Sequence, residues 1–146
     1  MRIGILAILL LSVVTAGVAA TSAPATDSTT ATTFKASLNQ REEIPKPTRV
    51  SASAGGAFRA TLVGNKLSWT LTYAHLTGPV AATYLHYGSK TQTGTVLIPI
   101  CTECRSPVHG RARITPAELK DLVEGKTYVN VDTIRNPRGE IRGQVK

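Results

Sequence analysis

Few residues in this 146-residue chain can do chemistry: three histidines, two cysteines and nine acidic side chains. The cysteines sit close together, as Cys101-Thr102-Glu103-Cys104. In a redox protein such a pair lies at a helix N-terminus, where a thiolate is stabilised. Here it follows the apolar run TVLIPI and precedes Arg105-Ser106-Pro107, which places it in a loop. One short disulfide stapling that loop is the expectation for an exported chain, stabilising by about 1 to 2 kcal/mol at most. Thiol exchange aided by Arg105, an intermolecular link, and a Cys-x2-Cys-x4-His zinc site with His109 stay open; the zinc site lacks an evident fourth ligand.

Nucleophilic catalysis finds little support. No Gly-x-Ser-x-Gly elbow and no phosphate-cradling glycine loop occurs, and Glu42 and Glu43 are adjacent, so a strand would point them apart. The most polar run is the last one, YVNVDTIRNPRGEIRGQV. Alternation puts Val129, Val131, Ile141 and Val145 on one side, and Asn130, Asp132, Glu140, Arg142 and Gln144 on the other. The expectation is a solvated face with paired charges, Asp132 or Glu140 against Arg142, each pair stabilising by a few tenths of a kcal/mol. The sharper alternative is a ligand patch of Tyr84, His86, Asn130, Glu140 and Arg142.

The elements that must position these residues are mostly strands. KLSWTLTY alternates Leu67, Trp69, Leu71 and Tyr73 with Ser68, Thr70 and Thr72, and GAFRATLV does the same around Phe58, Ala60 and Leu62. Gly64-Asn65 between them predicts a hairpin turn. TFKASL opens the domain. TVLIPI is apolar on both faces and should lie under something, with Pro99 marking an edge or bulge. PAELKDLVEG predicts a helix: Thr115 as N-cap, Pro116 first, Glu118 completing a capping box, Gly125 as stop. Asn136-Pro137-Arg138-Gly139 predicts a type I turn. Seven or eight short strands and one helix imply an all-β antiparallel sandwich or barrel.

Residues 1–20, MRIGILAILLLSVVTAGVAA, have the layout of a secretory signal peptide cleaved after Ala20; an uncleaved anchor is the alternative. Residues 21–33 carry no large apolar side chain until the domain begins and read as a disordered Thr/Ser/Ala-rich spacer. Residues 34–146 form one domain. No later apolar run is long enough to span a membrane. Loss of Arg2 with the leader leaves sixteen basic against nine acidic residues, about +7. That charge suits an anionic extracellular surface or polymer, but the basic residues are spread along the chain, and a solvated basic surface is the simpler reading. No arginine cluster interleaved with aromatics points to nucleic acid.

TYVNVDTIRNPRGEIRGQ closely resembles the closing motif of the CHRD domain, named for its occurrence in chordin, whose members end in runs like Y-V-N-V-H-T and N-P-x-G-E-I-R-G-Q. FKASLNQREEIP resembles the opening strand and Glu-x-Pro segment, and LTGPVAATYLHYGSKTQTG the middle segment with its A-H-I-H-x-G run. The resemblance implies an antiparallel β-sandwich like copper/zinc superoxide dismutase or an immunoglobulin domain, in a secreted or periplasmic protein, and no established activity. This chain departs from the pattern where Tyr84 and Asp132 replace histidines and His86 remains. If the family's histidines hold a metal, His86 and Asp132 are the candidate ligands left, too few for dismutase chemistry. The expectation is a secreted, non-enzymatic binding or structural module without a cofactor. Its rivals are a metal-dependent enzyme and a thiol–disulfide protein.

Overall fold

The structure is a computed structural model that describes residues 30–146. The leader and most of the spacer lie outside the described residues. Among the described residues there are eight strands: β1 (Thr32–Asn39), β2 (Gly55–Val63), β3 (Lys66–Ala74), β4 (Val80–Tyr87), β5 (Val96–Thr102), β6 (Val108–Arg113), β7 (Thr127–Thr133) and β8 (Ile141–Gln144). One helix, α1 (Pro116–Val123), joins β6 to β7, and a single 3-10 turn, Gln40–Glu42, follows β1. The first strand begins two residues before the expected domain boundary, with Thr32 and Thr33 paired to Leu62 and Thr61.

The all-β antiparallel class and the lone helix are as the sequence predicts. The strands join one eight-stranded sheet in the order β5-β4-β7-β8-β1-β2-β3-β6. That sheet curls until its edge strands, β5 and β6, approach each other, so the outline is a nearly closed barrel rather than two separately bonded layers. Its interior is filled by the inward half of each alternating strand, including Phe58, Leu67, Leu71, Leu85, Val131 and Ile141. β5 is an edge strand, as Pro99 implies, because its missing N–H cannot serve a central ladder. It is not covered on both faces: Val96 and Pro99 are exposed and only Ile98 is fully buried.

Local signals decide the connections. β2 and β3 are joined by the two residues Gly64 and Asn65. Thr115 accepts from the Glu118 amide, and the Glu118 carboxylate accepts from the Thr115 amide, the reciprocal capping box. Past the helix, Gly125 takes φ +66, a left-handed value that costs a side-chain-bearing residue free energy. The closing turn is bonded from the Gly139 amide to the Asn136 carbonyl at 3.1 Å, and it delivers β8 antiparallel to β7.

Candidate functional site

The two strands of the closing hairpin bury both faces. Val129, Val131 and Ile141 enter the core as the alternation predicts. The opposite face is not solvated: Glu140 and Arg142 are 0% and 1% exposed, and Asn130 is 7% exposed. The expectation of an open, charge-paired face is therefore corrected. Two loops cover it. One is the β4–β5 connection, residues 88–95; the other contains Glu43, Ile44 and Pro45 after β1.

Two residues of the closing motif hold the 88–95 loop and its neighbours. The Arg142 guanidinium donates from Nη2 to the carbonyls of Ser89 (2.6 Å) and Gln92 (2.8 Å), and lies over the Tyr128 ring, 3.5 Å from its centroid. Gln144 donates to the carbonyls of Gly88, Gly125 and Thr127 at 2.7–2.8 Å. Glu140 pairs with neither Arg142 nor Asp132. Its carboxylate accepts from the Thr77 amide (2.6 Å), the Thr77 hydroxyl (2.8 Å), the Thr133 hydroxyl (2.7 Å) and Asn136 Nδ2 (3.2 Å). Glu140 thus locks the closing turn to the segment before β4 and is removed from the candidate ligand-binding set. Gly139 completes the arrangement: its φ is +118, and a Cβ there would collide with the Glu43 carboxyl.

That buried Glu43 marks the candidate site. A cavity of about 310 Å³ opens between β4, β7 and the two loops, lined by Glu43, Tyr84, His86, Tyr128, Asn130 and Asp132 among others. The ladder explains the convergence. Tyr84 pairs with Asn130, His86 with Tyr128 and Ala82 with Asp132, so their side chains rise together from adjacent strands. His86 stacks on Tyr128 with centroids 4.9 Å apart and meets Tyr84 edge-on at 5.5 Å. Its Nδ1 lies 3.1 Å from the Gly94 carbonyl, an acceptor only, so Nδ1 carries the proton and the neutral ring leaves Nε2 as an acceptor.

The electrostatics are those of carboxylates taken out of water. Burial pushes the Glu43 carboxyl up to about 8; the nearby Arg142 charge offsets part of this, and Asp132 adds to it. Burial likewise raises Asp132 to about 6, against the pull of a 2.8 Å bond from Asn130 Nδ2. His86 is lowered, chiefly by desolvation, which keeps its ring neutral. Glu43 Oε1 and Asn130 Oδ1 are buried with no hydrogen-bond partner, as is Arg142 Nη1 behind them. A larger cavity, about 570 Å³, lies beside the cysteine loop, with His75, Arg105 and Ile134 in its wall. None of the unpartnered buried polar atoms belongs to it, so the smaller cavity is the chemically defined one.

The sequence and the fold now meet. The CHRD domain family model matches residues 34–145. The chain belongs to the CHRD domain family. No curated protein and no solved structure matches it. In this CHRD domain the closing N-P-R-G-E-I-R-G-Q run is structural in part: its arginine and glutamine hold the 88–95 loop beside the cavity, while its asparagine and glutamate fasten the closing turn to Thr77. Tyr84 and Asp132 both line that cavity.

Of the remaining candidates, Tyr84, His86, Asn130 and Asp132 come together, while Arg142 lies behind them as a loop anchor. Among the described residues no three of His, Cys, Asp and Glu come close enough to hold a metal, so the His86–Asp132 pair gains no third ligand. His109 is bonded to Thr70 Oγ1 at 3.0 Å, and His75 stands at the other cavity. Cys101 and Cys104 are bonded to each other, with sulfurs 2.01 Å apart, which leaves no thiolate for the Cys-x2-Cys-x4-His arrangement. Sequence reasoning passed over Glu43 as a site residue because an acidic residue in a polar segment reads as exposed. The Glu-x-Pro spacing was its available signal.

Proposed function

We propose that this CHRD domain is an extracellular binding module, and that its cavity takes a small ligand donating several hydrogen bonds. One observation carries the reading: Glu43 Oε1 and Asn130 Oδ1 are buried acceptors without a donor, at the wall of a cavity large enough for a small molecule. Leaving such groups unpaired costs about 1 to 3 kcal/mol each, which a donor-rich ligand returns on binding. Asp132 and the His86 ring extend the polar lining, while Tyr84 and Tyr128 supply apolar ring surface. Binding is favoured over turnover because, among the described residues, no cavity hydroxyl is hydrogen-bonded to His86, Glu43 or Asp132 as an activated nucleophile would be. Export is supported by the leader-like residues 1–20, the bonded cysteine pair and membership of a typically extracellular family. No helix among the described residues is long and apolar enough to cross a membrane.

Two probes test the cavity: ethanolamine, a cationic donor, and glucose, a neutral polyol. Titrated into isotope-labelled protein, at least one should give saturable shifts of the Gly94, Asn130 and Asp132 amides. Those shifts should disappear in Asn130→Ala. Shifts that stay linear with concentration for both probes, or that survive in Asn130→Ala, overturn the proposal.

A further inference from the structure

The other half of the sheet, β1-β2-β3-β6, presents an outer face of a different kind, bare of covering loops in its ladder and uniformly basic. Its outward residues are fixed by the register. One cross-strand row runs Lys35, Arg59, Thr70, His109; the next runs Thr33, Thr61, Ser68, Arg111; a third holds Val63, Lys66 and Arg113. Lys35, Arg59, Lys66, Arg111 and Arg113 are all exposed. These four strands contain no Asp or Glu at all.

Two pairs on this face are arranged against their own stability. Lys35 stands directly opposite Arg59, and Lys66 directly opposite Arg113. Opposed side chains on neighbouring strands lie about 5 Å apart, and like charges so placed repel. The ion pairs found among the described residues lie elsewhere: Glu42 with Lys90, and Glu124 with Lys120 and Lys126. Glu42 shares a surface cavity with Lys35, yet its carboxylate is the one 3.5 Å from Lys90. Glu43 and Glu140 are buried away from this face, with the covered side of β7 and β8.

We propose that this face docks an anionic polysaccharide, whose carboxylate or sulfate groups lie across the cation rows while its hydroxyls meet Thr61, Ser68 and Thr70. The charge arrangement calls for an anion, and the breadth of four strands calls for an extended one. A depression of about 250 Å³ between Arg59, Thr61, Ser68 and Thr70 gives a sugar ring a seat on the face. A lipid surface is the poorer fit, since membrane-docking faces carry large apolar side chains among the basic ones. Here Val63 is the one large aliphatic side chain the face exposes.

The test is retention of the intact purified protein on immobilised heparin and immobilised polygalacturonate, against vesicles rich in phosphatidylglycerol. A triple variant, Arg59→Ser with Arg111→Ser and Arg113→Ser, is compared with an equal loss of charge elsewhere, Arg49→Ser with Arg105→Ser and Arg135→Ser. The proposal expects binding to at least one polysaccharide at low salt, weakened by salt, and reduced at least tenfold by the first variant but less than threefold by the second. All six positions are exposed, and unchanged melting temperatures will show that both variants are folded. Equal losses in the two variants, no polysaccharide binding at low salt, or tighter binding to the vesicles each overturn it.

Discussion

Glu140 and Glu43 are both buried carboxylates, and they are treated in opposite ways. Glu140 receives four hydrogen bonds, from two threonines and an asparagine whose own donors would otherwise be stranded. Glu43 is almost as fully enclosed, at 1% exposure, yet its Oε1 receives none. Burial alone therefore says nothing about role. A carboxylate whose acceptor capacity is met is a fastener. One left unmet, on the wall of a cavity, is a group waiting for a donor.

The largest effect should come from breaking the fastener. Glu140→Ala leaves Thr77, Thr133 and Asn136 with unpaired donors and opens a void, so a loss of about 4 kcal/mol is expected in urea unfolding. A loss below about 1 kcal/mol would show that the network is dispensable and the contrast with Glu43 mistaken. Arg142→Met ranks next, at about 2 to 3 kcal/mol. It removes both bonds to the 88–95 loop, so amide exchange in that loop should quicken more than in β2 or β3.

How much of this was legible beforehand follows from what a strand pattern encodes. Alternation identifies which residues share a face, and for β2 and β3 it also identified the exposed face, because nothing folds over it. For β7 and β8 the same alternation was read correctly and its meaning inverted. Whether an outer face meets water depends on loops distant in sequence, and residues 88–95 and Glu43 to Pro45 carry no periodic signal announcing where they land. The polar richness of Asn130, Glu140 and Arg142 was itself the missed clue. Solvated faces of such strands need only any polar residue, whereas amide, carboxylate and guanidinium groups with fixed geometry are what buried backbone carbonyls and hydroxyls require. The capping box on α1, the two-residue β2–β3 turn and the cysteine pair were legible because their partners lie within a few residues.

The smallest predicted effect probes Glu43 directly, through pH. Its folded-state value, about 8, lies above the ordinary 4.5, so the native state holds this proton more tightly than the unfolded chain does. That stability is fully present below pH 4.5 and is lost as pH rises through about 8. Asp132 acts with the same sign in a lower window, from 3.8 to about 6. His86, whose value is lowered from 6.5, opposes both, because a ring kept neutral gains stability as pH rises toward 6.5. Above pH 6.5 Glu43 stands apart from both, and stability should fall by about 2 kcal/mol between pH 6.5 and 9. Glu43→Gln keeps the shape and removes the proton, so its unfolding free energy should be flat over that range. In a background where Glu43 is Gln, any remaining slope would have to come from elsewhere, and a slope equal to wild type would remove Glu43 as the unsatisfied carboxylate. A ligand that donates hydrogen bonds to Glu43 should act in the opposite sense, stabilising the ionised form and flattening the wild-type curve as it binds. The pH profile with and without such a ligand thus distinguishes a carboxylate that is merely buried from one that is kept for a partner.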